Sequence, residues 1–447
     1  MRPERYFASI FCCAILLFTA TVALALPKAL PKPKAGPKIS APGKPAAPAP
    51  QSEAAALAVE GKAAVLAEVS SNTRLFEQNP DVLIEPASFT KVMTLYLVFE
   101  ALRNGQVHLQ DEIYISERAW KTGGSQMFIG VGSKIPLDDL IKGIAVVSGN
   151  DSCVAVAEHL AGSVETFVVL MNRKAQELGM SKSVFLNAHG LPADGQVTTA
   201  GDMTTLALAY LKQFPEALNY HSMKEYTYNG ITQHNRNRLL FKDDTVDGLK
   251  TGYISASGYH LAATAKRDGM RLVAVVMGTP KPSVREREAL KLLNYGFRRY
   301  ALVNPFPIDQ PAATVKVWKG QKDHLELYPE ENSNVLIEQS AKNSVRSIID
   351  APKEITAPVE AHRPVGTITI YVGENLKKTI SLASHENVAQ AGLMTRFWHS
   401  LLRIHTLNWR LIGMVTLGIV ALLVLGVFAA KFYNRFRLHN QRRSKHY

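Results

Sequence analysis

Three short groupings in this chain hold the residue types of serine-based acyl chemistry. Ser88 and Lys91 lie three apart in "ASFTKVMT", a spacing that puts both side chains on one face of a helix. A serine hydroxyl is a poor nucleophile until a base takes its proton. A lysine amine can be that base only when burial or a neighbouring cation lowers its pKa. Ser88 also stands at the predicted helix start, where the dipole favours a developing oxyanion. Ser148 and Asn150, in "AVVSGNDSC", add a hydroxyl and an amide that can relay a proton and hold a substrate amide. Lys250-Thr251-Gly252 supplies a cation and a hydroxyl, with a glycine at which a ligand backbone can approach a strand closely. The Lys250 charge can hold a carboxylate and help to lower the pKa of Lys91.

Each grouping also has a purely structural reading. Ser88 can be a helix N-cap. A second Ser-x-Asn, Ser70 to Asn72, falls in a predicted hairpin turn. Lys-Thr-Gly recurs at Lys121-Thr122-Gly123, inside "AWKTGGSQMF". Context separates the two copies. Lys250 leads into the β-rich run "GYHLAATA", whereas Lys121 is followed by Gly123-Gly124 and reads as a loop.

The elements that must position these residues are legible in outline. "AAVLAEVSSNTRLFEQN" reads as two strands around a Ser-Ser-Asn turn. From Ser88 to Leu102, Val92, Leu95, Phe99 and Leu102 recur at helical spacing, just after Pro86. Asn150 to Gly162 reads as a second amphipathic helix. "YHLAATAKRDGMRLVAVVMGT" is two strands joined at Asp268-Gly269, and "SVREREALKLLNYGFRRY" returns to helix. Residues 54–300 are therefore expected to form an α/β domain, an antiparallel sheet flanked by helices. Four strand candidates in 301–394, "ATVKVWKG", "HLELYPEE", "SVRSIID" and "GTITIYVG", predict a small all-β domain.

The flanks carry the charge. Of the net +13, residues 1–25 carry +1, 26–50 carry +5 and 396–447 carry +9, which leaves −2 for residues 51–395. A nearly neutral body argues against nucleic acid as a partner. Residues 1–25 read as a secretory signal cleaved after Ala25. Residues 26–53 are rich in Pro, Ala and Lys and read as an extended linker. Residues 395–410 read as an amphipathic juxtamembrane helix with Trp398 and Trp409 near the headgroups. Residues 411–430 hold no charge and are long enough, at about 1.5 Å per residue, to cross a bilayer core of ~30 Å. The basic stretch 431–447 is expected to stay in the cytoplasm, which puts the body outside.

Taken together, Ser88-x-x-Lys91, Ser148-x-Asn150 and Lys250-Thr251-Gly252, in that order, form the triple set of penicillin-recognising serine enzymes. The chain resembles the low-molecular-weight penicillin-binding proteins that are D-alanyl-D-alanine carboxypeptidases. The likeness runs over roughly residues 55 to 385, through "NAHGLPADGQVTTAGDM", "HNRNRLLF", "VDGLKTGYISASGYHLAATAKRDG" and "ITAPVEAHRPVGTI". It implies a serine β-lactamase/transpeptidase-like fold and removal of the terminal D-Ala from peptidoglycan stem pentapeptides, with β-lactams as inhibitors. It also implies a bacterial cytoplasmic membrane location with the catalytic domain on the periplasmic side. Ser88 would be the nucleophile and Lys91 its base. Ser148 and Asn150 would pass protons and hold the peptide. Lys250 and Thr251 would bind the terminal carboxylate, with Gly252 beside them and Arg236 nearby. The N–H groups of Ser88 and Tyr253 would form the oxyanion hole. Tyr253 is a departure, since several relatives carry His after Lys-Thr-Gly.

Two other activities share this chemistry, a D,D-endopeptidase and a membrane-anchored β-lactamase. The class A lactamase run E-x-x-L-N is one residue short in "EALN", Glu216 to Asn219. No cofactor and no catalytic metal is expected. "SHENVAQ" begins like a zinc motif but lacks the second His. Cys153 is the only thiol outside the signal, and His189 reads as structural.

Overall fold

The computed structural model describes residues 57–402 and 409–443. The signal and linker assigned to residues 1–53 lie outside the described residues. The catalytic region is built on a five-stranded antiparallel sheet. Its strands are β1 (Ala63–Glu68), β2 (Thr73–Gln78), β3 (Val246–Ile254), β4 (Gly258–Arg267) and β5 (Met270–Thr279), in the spatial order β2-β1-β5-β4-β3. The hairpins expected around Ser70–Asn72 and at Asp268-Gly269 both form.

Helices cover both faces of this sheet, and the strand sequences explain why. In β1, Ala63, Val65 and Ala67 point into one core, while Ala64 and Leu66 point into another. In β5, Val273, Val275 and Met277 share the first core, and Leu272, Ala274 and Val276 the second. A strand buried on both faces reads as a continuous apolar run, because successive side chains point opposite ways. The second face is closed by α4 (Pro282–Arg299), through Ala289, Leu292 and Leu293. The first carries a larger helical layer with α1 (Thr90–Arg103), α2 (Asn150–Ala161) and α3 (Ala200–Gln213).

The expectation for α1 was a helix with one apolar face. Instead, every residue from Thr90 to Phe99 is buried, Lys91 among them. This helix is the axis of the domain, wrapped by α2, α3 and the turn that precedes α2. An all-round buried helix gives any charged side chain on it a severe desolvation cost.

A buried carboxylate ties the helical layer to the loop beside it. Asp151, in the first turn of α2, is 1% exposed. It accepts the backbone N–H groups of Met127 and Phe128 at 3.0 Å, that of Ile129 at 3.4 Å and its neighbour Ser152's at 2.8 Å. The strand of loop before Met127 is held in turn, since Asn150 N–H donates to the Ser125 carbonyl at 2.7 Å.

Beyond α4 lies the expected β-rich region. Its six-stranded sheet holds β6 (Ala313–Trp318), β7 (His324–Pro329), β8 (Val345–Asp350), β9 (Glu354–Thr356), β10 (Pro364–Val372) and β11 (Asn375–Ala383), in the order β8-β10-β11-β7-β6-β9. It has a core of its own around Val315, Leu327, Ile368, Ile370 and Leu382. Helix α5 follows, running Leu393–Leu402 rather than from residue 395, with Phe397 and Trp398 exposed. His399 ties it to the sheet by accepting the Lys319 N–H at 2.9 Å. Helix α6 spans Trp409–Arg443 and includes Ile412–Arg435, 24 residues long and apolar enough to cross a bilayer.

Replacing Asp151 with Ala orphans several buried N–H groups at once. The expected result is a loss of about 3 kcal/mol of stability, read from the midpoint of chemical denaturation. A loss below about 1 kcal/mol would contradict the anchoring role of this carboxylate.

Candidate active site

Ser88 occupies a single 3-10 turn, Ala87–Phe89, that feeds directly into α1. Lys91 lies one turn on, and its Nζ is 3.0 Å from Ser88 Oγ. Two carbonyl-type oxygens complete the shell of this amine. Asn150 Oδ1 accepts from Nζ at 2.7 Å, and the His189 backbone carbonyl accepts at 2.5 Å. The Asn150 amide is oriented by its other end, because its Nδ2 donates to the Gly123 carbonyl at 2.7 Å.

Ser148 also reaches Ser88, with Oγ 3.1 Å from Ser88 Oγ. It sits between a π-helical turn, Gly143–Val147, and α2, at φ 64°, ψ 36°. A serine in this left-handed region is held there at a cost by its surroundings, and π-turns recur at functional sites. Here the turn swings Ser148 toward Ser88.

Lys250 and Thr251 lie on edge strand β3, 3% and 5% exposed. Lys250 Nζ reaches the Thr251 carbonyl at 3.3 Å. Gly252 was expected to make room for a ligand backbone. It also makes room within the fold. A Cβ at Gly252 would come within 3.2 Å of Ala87 Cβ and of the His260 ring, so this glycine lets β3 close on the turn that carries Ser88. Gly190 does the same from another side. A Cβ there would stand 1.8 Å from the Ala87 carbonyl oxygen, and its absence lets the His189 carbonyl reach Lys91.

Burial dominates the electrostatics. Lys91 is fully buried, and its pKa falls to about 8, chiefly through desolvation. The Arg236 charge contributes to the fall, while Cys153 and Asp151 act the other way. Lys250 is pushed well below the ordinary lysine range, first by burial, then by Lys91 and Arg236. Lys250 was expected to help lower Lys91. The two buried amines repel one another, which opposes a charge on both at once, and Arg236 adds to that repulsion for each. Cys153 is pushed up to about 12 by burial, which keeps it a neutral thiol. His189 is lowered to about 4, again mainly by burial. Its neutral Nδ1 accepts the Leu191 N–H at 3.1 Å, so the imidazole is structural while its own carbonyl serves Lys91.

Arg236 sits on the loop after the Ile231–His234 strand, with its side chain exposed. A residue missed by the sequence reading, Arg285 of α4, fixes that loop. It donates to the Gly252 carbonyl at 3.2 Å and to those of His260 and Arg236 at 3.4 Å. Burial lowers its pKa to about 10. Tyr253 is 54% exposed and stacks on Tyr259 across the β3–β4 pair, ring centroids 4.3 Å apart.

The Lys121 copy of Lys-Thr-Gly is not a loop throughout. Lys121 ends a short helix, Glu117–Lys121, and pairs with Glu117 at 2.6 Å on the surface. Its contribution to the site is the Gly123 carbonyl, which no side-chain reading could reveal.

A neutral lysine amine has two N–H donors and one lone pair. Around Lys91, two neighbours are obligate acceptors, Asn150 Oδ1 and the His189 carbonyl. The third, Ser88 Oγ, carries a proton. The neutral amine therefore spends both donors on fixed acceptors and turns its lone pair to the hydroxyl. Such an arrangement can activate a serine.

Comparison with known proteins agrees with this chemistry. The family model for D-alanyl-D-alanine carboxypeptidase matches residues 49–281, and that for the penicillin-binding protein 5 C-terminal domain matches residues 300–390. The D-alanyl-D-alanine carboxypeptidase DacC of Escherichia coli K12 is 38% identical over 348 residues, 76% of this chain and 87% of that protein. Penicillin-binding protein 5 from Haemophilus influenzae is similar in structure, with a TM-score of 0.62 at 33% identity, over 74% of this chain and 98% of that one. Penicillin-binding protein D2 from Listeria monocytogenes, solved in its ampicillin-bound form, gives a TM-score of 0.50 at 30% identity, over 54% of this chain and 98% of that one. The chain belongs to the D-alanyl-D-alanine carboxypeptidase family of low-molecular-weight penicillin-binding proteins.

Proposed function

We propose that this chain is a serine-type D-Ala-D-Ala carboxypeptidase whose nucleophile is Ser88 and whose general base is Lys91. One observation carries the assignment: the buried Lys91 amine faces two fixed acceptors and the Ser88 hydroxyl. Ser88 Oγ attacks the carbonyl carbon of the penultimate D-Ala while Lys91 Nζ takes the hydroxyl proton. The tetrahedral intermediate collapses, the peptide C–N bond breaks, and the departing D-Ala nitrogen takes a proton relayed through Ser148. A water then attacks the Ser88 ester, releasing the shortened stem peptide and restoring the hydroxyl.

Lys250 and Thr251 hold the substrate's terminal carboxylate, with Arg236 adding charge from the loop. Three cationic groups gathered here, with Arg236 lowering the pKa of both Lys91 and Lys250, have a natural counter-ion in that carboxylate. Asn150 aligns the peptide and Lys91 together, and the Ser88 and Tyr253 N–H groups receive the oxyanion. A penicillin presents a carboxylate and a strained amide to the same atoms and is trapped as an ester on Ser88.

The domain limits proposed from sequence accompany this reading: a catalytic domain at 54–300, a β-rich domain at 301–394, and an anchor at 411–430. Ile412–Arg435 supports a membrane anchor by its length and composition. The basic residues after Ala430 favour a cytoplasmic tail and an extracytoplasmic body.

Three experiments test this reading. A synthetic pentapeptide ending in D-Ala-D-Ala should lose one D-Ala. Ser88→Ala should reduce that release more than about a thousandfold and abolish covalent penicillin labelling. Rapid penicillin turnover without D-Ala release would instead indicate a lactamase, and cleavage only of cross-linked dimers an endopeptidase.

The pH profile follows from Lys91. The amine must be neutral to accept the proton, and its pKa is about 8. Acylation by penicillin should therefore rise about tenfold per pH unit up to that value and level off above it. A flat rate from about pH 6 to 8 would contradict Lys91 as the base.

Deleting residues 395–447 should release a soluble enzyme that still binds penicillin. Continued sedimentation with membranes would contradict the C-terminal anchor.

A further inference from the structure

The "SHENVAQ" stretch lacks the second histidine that a helical zinc motif requires. The β-rich domain supplies one from elsewhere in the chain. Strands β7, β11 and β10 run side by side at one end of the six-stranded sheet, where Ala383 is paired with both Tyr328 and Pro364. Just beyond that point each strand contributes one metal-ligating side chain. Glu330 follows β7, His385 follows β11, and His362 precedes β10. One potential ligand atom of each lies within 4.8 Å of the others.

We propose that Glu330, His362 and His385 form a binding site for a divalent transition-metal ion, Zn²⁺ foremost, that clips the ends of these three strands together. Two imidazoles and a carboxylate with open remaining positions suit zinc and its neighbours and do not suit Mg²⁺ or Ca²⁺, which take oxygen. The backbone is already set. Glu330 N–H donates to the Ser381 carbonyl at 3.0 Å, and His362 N–H to the Ser384 carbonyl at 2.7 Å. Ala361 N–H is held by Asn387 Oδ1 at 2.9 Å. The side chains are partly set. His385 stacks on Tyr328 with ring centroids 4.4 Å apart and planes 15° from parallel. His362 Nδ1 stands 3.3 Å from Glu330 Oε1, about the separation of two ligands on a tetrahedral ion with bonds near 2.1 Å. The third ligand has only to rotate inward, which the exposure of both imidazoles permits.

Zinc titration of the tag-free full-length chain in detergent, by calorimetry and by thermal melting, tests the site. One equivalent should bind, and the melting temperature should rise with its occupancy, while Mg²⁺ does neither. Three variants each remove a ligand with little else. His385→Phe keeps the stack on Tyr328, His362→Asn suits the left-handed backbone at that position (φ 58°), and Glu330→Gln is isosteric. Each should weaken zinc binding at least about tenfold, while penicillin labelling stays at the wild-type level and shows that the chain is folded. Cobalt bound to the wild-type chain should show visible d–d bands that His385→Phe alters. Absence of stoichiometric binding would overturn the proposal. So would unchanged affinity in the folded variants, which would mean an adventitious ion only, on other surface histidines.

Discussion

Everything in the catalytic half of this molecule turns on one lysine amine kept out of water. Lys91 is wholly buried, and a buried ammonium is expensive. The chain lowers that cost in two ways. It gives Nζ two fixed oxygen acceptors, and it lets the pKa fall to about 8. What remains is a lone pair directed at a serine hydroxyl.

The fold follows from that requirement. α1 is buried on all sides, so a lysine in its first turn has no route to solvent. Asn150 and Ser148 flank the start of α2, and Asp151 in the same turn pins the loop whose Gly123 carbonyl orients Asn150. Gly190 and Gly252 let two further segments close on the Ser88 turn, one bringing the His189 carbonyl and the other bringing Lys250 and Thr251. Arg285 then holds β3, β4 and the Arg236 loop from behind. The acceptors that hold the Lys91 amine come from segments 59 and 98 positions away, and backbone carbonyls do much of the orienting.

That division explains what was legible in the sequence. Period-2 and helical patterns revealed β1, β2, β4, β5, α2 and α4, because both cores demand them. Ser88, Lys91, Ser148, Asn150, Lys250 and Thr251 were nameable from side-chain type and order, and chain topology gathers them. The carbonyls of His189 and Gly123 were not legible, since every residue has one. The packing of Gly252 against Ala87 and His260 was not legible either, since both are distant in sequence. Arg285 looked like one more charge on an amphipathic helix. The lowering of both Lys91 and Lys250 by burial and by Arg236 was legible only in the folded arrangement. His385 seemed an incomplete motif for the same reason, since its companions lie 23 and 55 positions upstream.

The central claim is that Lys91 gives up its proton near pH 8, well below the ordinary lysine range, and so can serve as a base. A ¹³Cε NMR titration of the lysine-labelled full-length chain reads this directly, with the Lys91 signal assigned by its loss in Lys91→Arg. The account predicts a midpoint of about 8. A midpoint near 10.5, the ordinary lysine value, would mean that Lys91 stays protonated and cannot be the base that activates Ser88.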